Sequence, residues 1–378
     1  MQSLQRDIAE FDLGLLEENQ RSFYQQFLEL HYRLPNNVKP EYVQFVAEGG
    51  VAASYDAIGK FAASAGREGP GYRLRYSIVL PVFLHFVFNR ALKFPYVFSA
   101  VGDPSREDPD LMRWEGSAIP FELPDSLRLT EAVRILPGVN RPEDAARASV
   151  ASALSEIATA FCAFHEMAHV IGGHVAYRAD RCSLAFVPEF FGIRLLPRSE
   201  LALSQVFERE ADLIALNSTL ALLVSDPSSR SYFAASFGIE NDGEQYPYHA
   251  ISVLVFALTL LFLYLAQVPT GLGLSSSHPH PIVRITYLRT ALRLAATNDL
   301  GLEIEDLDSL CDYASEQAFK LWNDLGLDVP ALAGANDVRH YSRSVRRAVE
   351  RLERNHELLY SRYSAYSWLP GSAWKTYS

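Results

Sequence analysis

"FCAFHEMAHVIGGH", residues 161–174, holds three of the ten histidines in a chain of 378 residues. His165 and His169 are four positions apart. On an α-helix that spacing puts both imidazoles on one face, one turn apart, within reach of a single ion. Glu166 follows the first histidine and is turned by about 100° from it. It therefore points beside such an ion, where a general base for an activated water belongs. Phe161, Cys162, Ala163, Phe164, Met167, Ala168, Val170 and Ile171 surround these polar residues. A helix apolar nearly all round is a buried one, and a buried His-Glu-His trio needs partners. Zinc satisfies two imidazoles at once. H-E-x-x-H alone arises by chance in roughly one chain in a hundred of this length, so the flanking sequence has to support it.

Upstream, Ala146, Val150, Leu154, Ile157, Phe161, Phe164 and Ala168 recur at spacings of three and four, one apolar helical stripe. Pro142 suits a first helical position, and Glu143 and Asp144 suit the positive end of the helix dipole. The pattern fits either one long helix into the quoted stretch or two joined by a turn. Downstream, a second helix is expected from about Ser199 to Leu223 and a third from Pro281, with others at about 304–325 and 337–365.

Catalytic zinc takes three protein ligands and one open position. Ten positions after His165 stands Val175, and His174 falls one short, which excludes the metzincin arrangement. The alternative is a carboxylate on a later helix. In FEREADL (207–213), Glu208 and Asp212 are four apart on one face. Glu208 could bind the ion while Asp212 accepts a hydrogen bond from a ligand histidine and fixes its tautomer. Glu210, on a different face from Asp212, is the competing third ligand. His174 is read as a hydrogen-bonding neighbour of the site rather than a ligand.

H-E-x-x-H, a histidine nine residues after the first, E-x-x-A-D (Glu208 to Asp212) and HPHPIVRITYL (278–288) occur in that order. Together they resemble the gluzincin peptidases, in particular the group of CaaX prenyl endopeptidases, HtpX quality-control proteases and minigluzincins. A second resemblance, resting on size and layout, is to the phage-exclusion protease Lit and its relatives. The gluzincin resemblance covers 165–288. It implies an α+β, mostly helical fold, a zincin-like core with a small sheet beside the active helix. It further implies a zinc ion held by His165, His169 and Glu208, Glu166 as catalytic base, and His278 and Arg284 close to the chemistry. The activity implied is that of a zinc metalloendopeptidase acting on protein or peptide substrates. The rival without catalysis is a zinc-stabilised scaffold or sensor, its ion closed by His174 or His278. A defence role by cleavage of a host protein, as in Lit, is the other alternative.

The remaining sequence sets the context. A balance of 34 basic against 45 acidic residues, −11 overall, argues against sequence-independent nucleic-acid binding. Three cysteines in so long a chain do not form a disulfide framework, so a reducing, cytoplasmic setting is expected. The N-terminus shows no basic stretch followed by an apolar run, so no secretory signal is expected. Residues 250–268, AISVLVFALTLLFLYLAQV, carry no charge and are long enough to span a bilayer. A single crossing there would put Asp212 and His278 on opposite sides, so a buried helix fits one shared site better; membrane association through this run is the competing expectation.

Three regions are expected: 1–125 of unknown role, a metallopeptidase core at 126–300 and a helical region at 301–378. Within the first, residues 1–33 read as helix and 34–71 as loop with short helices. Strands or a buried helix both fit 72–100, and 102–125 reads as a linker or surface loop. LRLTEAVRILPG (127–138) reads as a strand along which substrate could align. Residues 339–354, with six arginines, read as an amphipathic helix with a solvated basic face.

Overall fold

The computed structural model describes residues 9–32, 38–109, 122–123, 127–182, 186–188, 198–267, 278–327 and 338–369. In chain order the elements are α1 (Glu18–Leu28), α2 (Pro40–Ala47), β1 (Val51–Asp56), β2 (Ala63–Glu68), β3 (Gly71–Ser77), α3 (Leu80–Leu92), α4 (Leu129–Ile135) and α5 (Ala145–Ile171). They continue with α6 (His174–Cys182), β4 (Phe186–Pro188), α7 (Arg198–Val224), α8 (Pro227–Phe237), α9 (Tyr246–Gln267), α10 (Pro281–Leu300), α11 (Ile304–Asp324) and α12 (Val338–Tyr363). The fold is α+β and mostly helical, with a small sheet beside the H-E-x-x-H helix, as expected.

The strands run in the order β1-β3-β2-β4. β1 pairs with β3 in parallel, Ala53 opposite Leu74, and β2 is antiparallel to both β3 and β4. β1 and β2 occupy the stretch read from sequence as loop with short helices. The reason is their composition. ASAGRE in β2 has none of the β-branched or aromatic residues that mark a strand. Ala63 and Ala65 are buried where the sheet lies against α5, and small side chains permit that approach. The region 72–100 contains both alternatives: β3, then the almost wholly buried α3. Residues 127–138 are not a strand; α4 and a short 3-10 turn lie there, so no substrate-aligning strand comes from this segment. Leu129, Val133 and Leu136, at spacings of four and three, carry the segment into the core. Most of the expected linker at 102–125 lies outside the described residues.

α5 is one uninterrupted helix of 27 residues. It starts at Ala145, three residues later than Pro142 suggests, because the Asp144 carboxylate caps it by accepting from the backbone N–H groups of Ala146 and Arg147. It stops at Gly172-Gly173, and Gly173 has φ +78°, outside the range most side chains tolerate. A Cβ on Gly173 would also stand 2.4 Å from the backbone of Tyr366.

In the first turn of α5, fully buried Arg147 donates to the carbonyl oxygens of Leu92, Phe94, Val97, Phe98 and Val101. Its charge sits at the C-terminal end of α3, where the helix dipole favours a cation. α9 is a core helix packed against α5, α7, α10 and α11. Both α5 and α9 are long and apolar enough to cross a membrane, and 78% of each apolar window is buried inside the fold. One core cluster draws on all three expected regions, with Phe11, Val82, Leu154, Trp322 and Leu369 among its members.

Two stability predictions arise here. Arg147→Met leaves the buried carbonyls of Leu92, Phe94 and Val97 and the part-buried ones of Phe98 and Val101 without their shared donor, and a loss of roughly 3 kcal/mol is expected in urea denaturation. His85, on α3 against Phe23, is held down from 6.5 to about 4 by burial and by the charge of Arg141. The unfolded chain therefore takes up this proton first as pH falls. Stability from His85 is complete above pH 6.5 and is lost progressively towards pH 4, by at most about 3 kcal/mol. A His85→Leu variant should show a shallower acid loss than the wild type across that window.

Candidate metal centre

α5 and α7 pack against each other along their length and bring the two polar motifs face to face in the core. His165, His169 and Glu208 are buried, and one ligand atom from each lies within 4.8 Å of the others. Nε2 of His165 is 3.2 Å from Nε2 of His169 and 3.3 Å from Oε2 of Glu208. Nε2 of His169 is 3.7 Å from Oε1 of Glu208. These three residues could hold a metal ion.

The hydrogen-bonding chemistry agrees with a cation there. Nδ1 of His165 faces Asp212 Oδ1 at 2.9 Å, so Nδ1 carries the proton and Nε2 a lone pair. That lone pair points at a carboxylate oxygen and a second imidazole nitrogen. Three electron-pair donors converging in a dry core are reconciled by a positive charge between them. Burial alone would raise the Glu208 carboxyl. The histidines around it, His278 foremost and then His169 and His165, hold it well below the usual carboxylate range.

Asp212 is anchored from behind. Arg284 on α10 donates to both of its oxygens at 2.8 and 2.6 Å, and the Tyr287 hydroxyl donates to Oδ2. Burial opposes ionisation of Asp212, but Arg284 and then His165 outweigh it and keep the carboxyl low. The guanidinium also stacks over Phe262 on α9, 4.4 Å from the ring centre. Arg284, expected close to the chemistry, thus reaches the site through Asp212. The Asp212–Arg284 bridge ties α7 to α10 directly, with α9 between them in the chain.

Glu166 is fully buried on α5 beside His165. His278, immediately before α10, places Nε2 3.2 Å from Glu208 Oε2, and its side chain keeps 16% of its surface exposed. It lies outside the three-residue cluster and is the most accessible polar group of the site. Glu210 points away from the cluster. It accepts from the Tyr363 hydroxyl and faces His174 and His356 Nε2 at 3.5 and 3.6 Å. Burial would raise it, but His174 and then His356 bring it down to about 2. His174 in turn places Nδ1 2.9 Å from Nδ1 of His169.

Tyr246 and Tyr248, aromatic residues flanking the apolar run, bond elsewhere: the Tyr246 hydroxyl donates to Leu223 O, and the Tyr248 hydroxyl accepts from Glu303 N. Cys162 is a buried core thiol lining a small cavity with Phe61, Phe161, Leu261 and Leu265, which His165 and Arg284 of the site also border. Sequence reasoning missed Tyr287, His356 and Tyr363. Tyr287 was findable, three residues after Arg284 on the same helical face. His356 and Tyr363 carry no local signal, because they reach the site from the far end of the chain.

Residues 124–304 match the family model Peptidase U49. The match covers just under half of the chain and takes in α5, α7 and α10, which carry the whole cluster around His165, His169, Glu208 and Asp212. It supports a peptidase, and with it protein or peptide substrates. The chain matches no curated protein and no solved structure.

The Asp212–Arg284 bridge yields a prediction. Asp212→Ala leaves a buried guanidinium unpaired and should cost about 3–5 kcal/mol in denaturant titrations. Asp212→Ala combined with Arg284→Met should recover a substantial part of that loss. Additive losses would contradict direct coupling of the pair.

Proposed function

We propose that the protein is a zinc-dependent endopeptidase of the gluzincin kind, with His165, His169 and Glu208 holding the metal and Glu166 acting as general base. The observation that carries this reading is the buried convergence of two imidazole nitrogens and one carboxylate, inside a segment that matches a peptidase family. Two histidines and one carboxylate are a catalytic zinc set, with the fourth position left for water or substrate. Zinc held by His165, His169 and Glu208 would supply Lewis-acid chemistry toward a water and the scissile carbonyl. Glu166 accepts the proton of the attacking water and returns it to the leaving amine. Its burial keeps that proton from bulk solvent. Asp212 keeps His165 in the tautomer with a bare Nε2, and Arg284 and Tyr287 keep Asp212 in place. His278, at the accessible edge of the cluster, steadies the negative charge that develops on the scissile carbonyl oxygen.

In this reading the segment 126–300 supplies the chemistry, and the regions 1–125 and 301–378 complete its core. A cytoplasmic location is part of the proposal. α9 serves as a core helix, since α7 and α10 on either side of it share the Asp212–Arg284 bridge. The closed scaffold reading would draw on His278, whose Nε2 lies 3.2 Å from Glu208 Oε2, since His174 is turned to Glu210; peptide cleavage by the wild type that Glu166→Gln abolishes counts against it. The family match favours a Lit-type role as the finer alternative, since the Lit protease belongs to Peptidase U49. Loss of phage protection in Glu166→Gln would support that alternative, and retained protection would count against it.

The decisive experiment pairs metal content with cleavage. Wild type should carry about one zinc per chain, and Glu208→Ala should lose most of it. Glu166→Gln should keep the zinc and cut peptide hydrolysis by about a hundredfold or more. Folded wild-type protein that takes up no zinc would end the metallopeptidase reading.

A further inference from the structure

The C-terminal helix reaches the metal cluster through a line of buried polar groups that the proposed chemistry does not use. Tyr363 and His356, both on α12, converge on one oxygen of Glu210. Glu210 faces Nε2 of His174, whose Nδ1 meets Nδ1 of His169. Glu210 and His174 are fully buried, as is Tyr363. His174 is clamped in orientation as well. It stacks on Phe207 at 4.2 Å with an interplanar angle of 14°, and Tyr363 meets it edge-on at 5.7 Å while also packing against Phe207. A Cβ on Gly172 would lie 2.7 Å from His174 Nε2, so glycine at that position leaves the room the ring needs.

The polarity of this line is set at its outer end. The Tyr363 hydroxyl is a donor, held in its protonated form by burial and by the negative charge of Glu210. Glu210 Oε2 already accepts from Tyr363, and Nε2 of His174 faces that same oxygen at 3.5 Å, an approach that suits Nε2–H. Nδ1 of His174 is then bare and accepts Nδ1–H from His169. That leaves the lone pair of His169 on Nε2, the atom that faces His165 and Glu208. His165 obtains the same tautomer from Asp212 directly. The two ligand histidines are thus served by two different carboxylates on α7, one acting directly and one through an intervening imidazole.

We propose that Tyr363 and Glu210 are positioning residues for the metal ligand His169, acting through His174, with His356 as a second contact on the same carboxylate, so that α12 sets how tightly the centre holds its metal. This rests on the zinc reading above. Partners of this kind typically change metal affinity by 10–100-fold when removed.

The test is the zinc dissociation constant, measured by chelator competition, for wild type, Tyr363→Phe, Glu210→Gln and the double variant. Thermal unfolding of each metal-free protein is measured alongside. Tyr363→Phe should lower the melting temperature of the metal-free protein, since a buried carboxylate loses a donor, and should in addition weaken zinc binding about tenfold. Glu210→Gln should weaken it by about as much or more, and the double variant should be no worse than Glu210→Gln alone, because both act along one line. Tyr366→Phe serves as the control: its hydroxyl bonds Asp180 on the surface, and it should bind zinc like the wild type. Wild-type affinity in Tyr363→Phe, or losses that simply add, would overturn the proposal and leave the zinc site standing. If Tyr363→Phe does not fold, an unchanged affinity in the isosteric Glu210→Gln overturns it. Wild-type protein without zinc overturns both readings together.

Discussion

Four carboxylates, Glu166, Glu208, Glu210 and Asp212, lie out of water where α5 meets α7. An uncompensated carboxylate in such a place is costly enough to be protonated or expelled. Much of the surrounding fold answers that constraint. α10 brings Arg284 and Tyr287 to Asp212, and His278 at its entrance to Glu208. α12 brings Tyr363 and His356 to Glu210. Glu208 is left among three imidazole nitrogens, which is the arrangement a cation completes. The apolar faces that pack these helices could be satisfied by many relative placements, but the charges by few. In this sense the electrostatics of the core specify the helix packing, and α9 fills the space that packing leaves.

Much of the centre was legible in the sequence because each part rests on helical spacing. His165 and His169, and Glu208 and Asp212, are four apart, and a separation of four fixes a shared face whatever the tertiary fold. Spacing also put Glu208 on the face of Asp212 and Glu210 on another, which favoured Glu208 as the candidate ligand with Glu210 as its competitor, and it is Glu208 that lies against His165 and His169. Arg284 shows the limit of motif reasoning. Its presence near the site was implied, but not that its Nε and Nη2 both donate to Asp212. His356 and Tyr363 belong to a helix whose sequence advertises only arginines on a solvated face.

The helices were more legible than the sheet, for a physical reason. α5, α7, α10 and α11 are long and show periodic apolar faces or clear boundaries, so their limits fall near the expected ones. The strands are short, and β2 is built of alanine, glycine and charge because it must let α5 come close. A strand selected for thinness lacks the bulky residues by which strands are recognised. In α4 the β-branched Thr130, Val133 and Ile135 suggest a strand, while Leu129, Val133 and Leu136 dock the segment at helical spacing.

The end of α5 is closed from a great distance along the chain. Trp368 donates its backbone N–H to Ile171 O, and the hydroxyl of Ser367, 196 residues beyond Ile171, reaches the same carbonyl. The backbone at Tyr366 covers Gly173, and Lys39, near the other end of the chain, bonds both Trp368 O and Ser367 O. Contacts of such separation form only after the intervening chain has been made and much of it ordered. A ribosome releasing this protein would therefore expose the histidine helix long before its far end could be sealed. During that interval the nascent chain carries His165 and His169 without the brace that arrives last. Synthesis itself would delay assembly of the centre until almost all of the described chain has emerged.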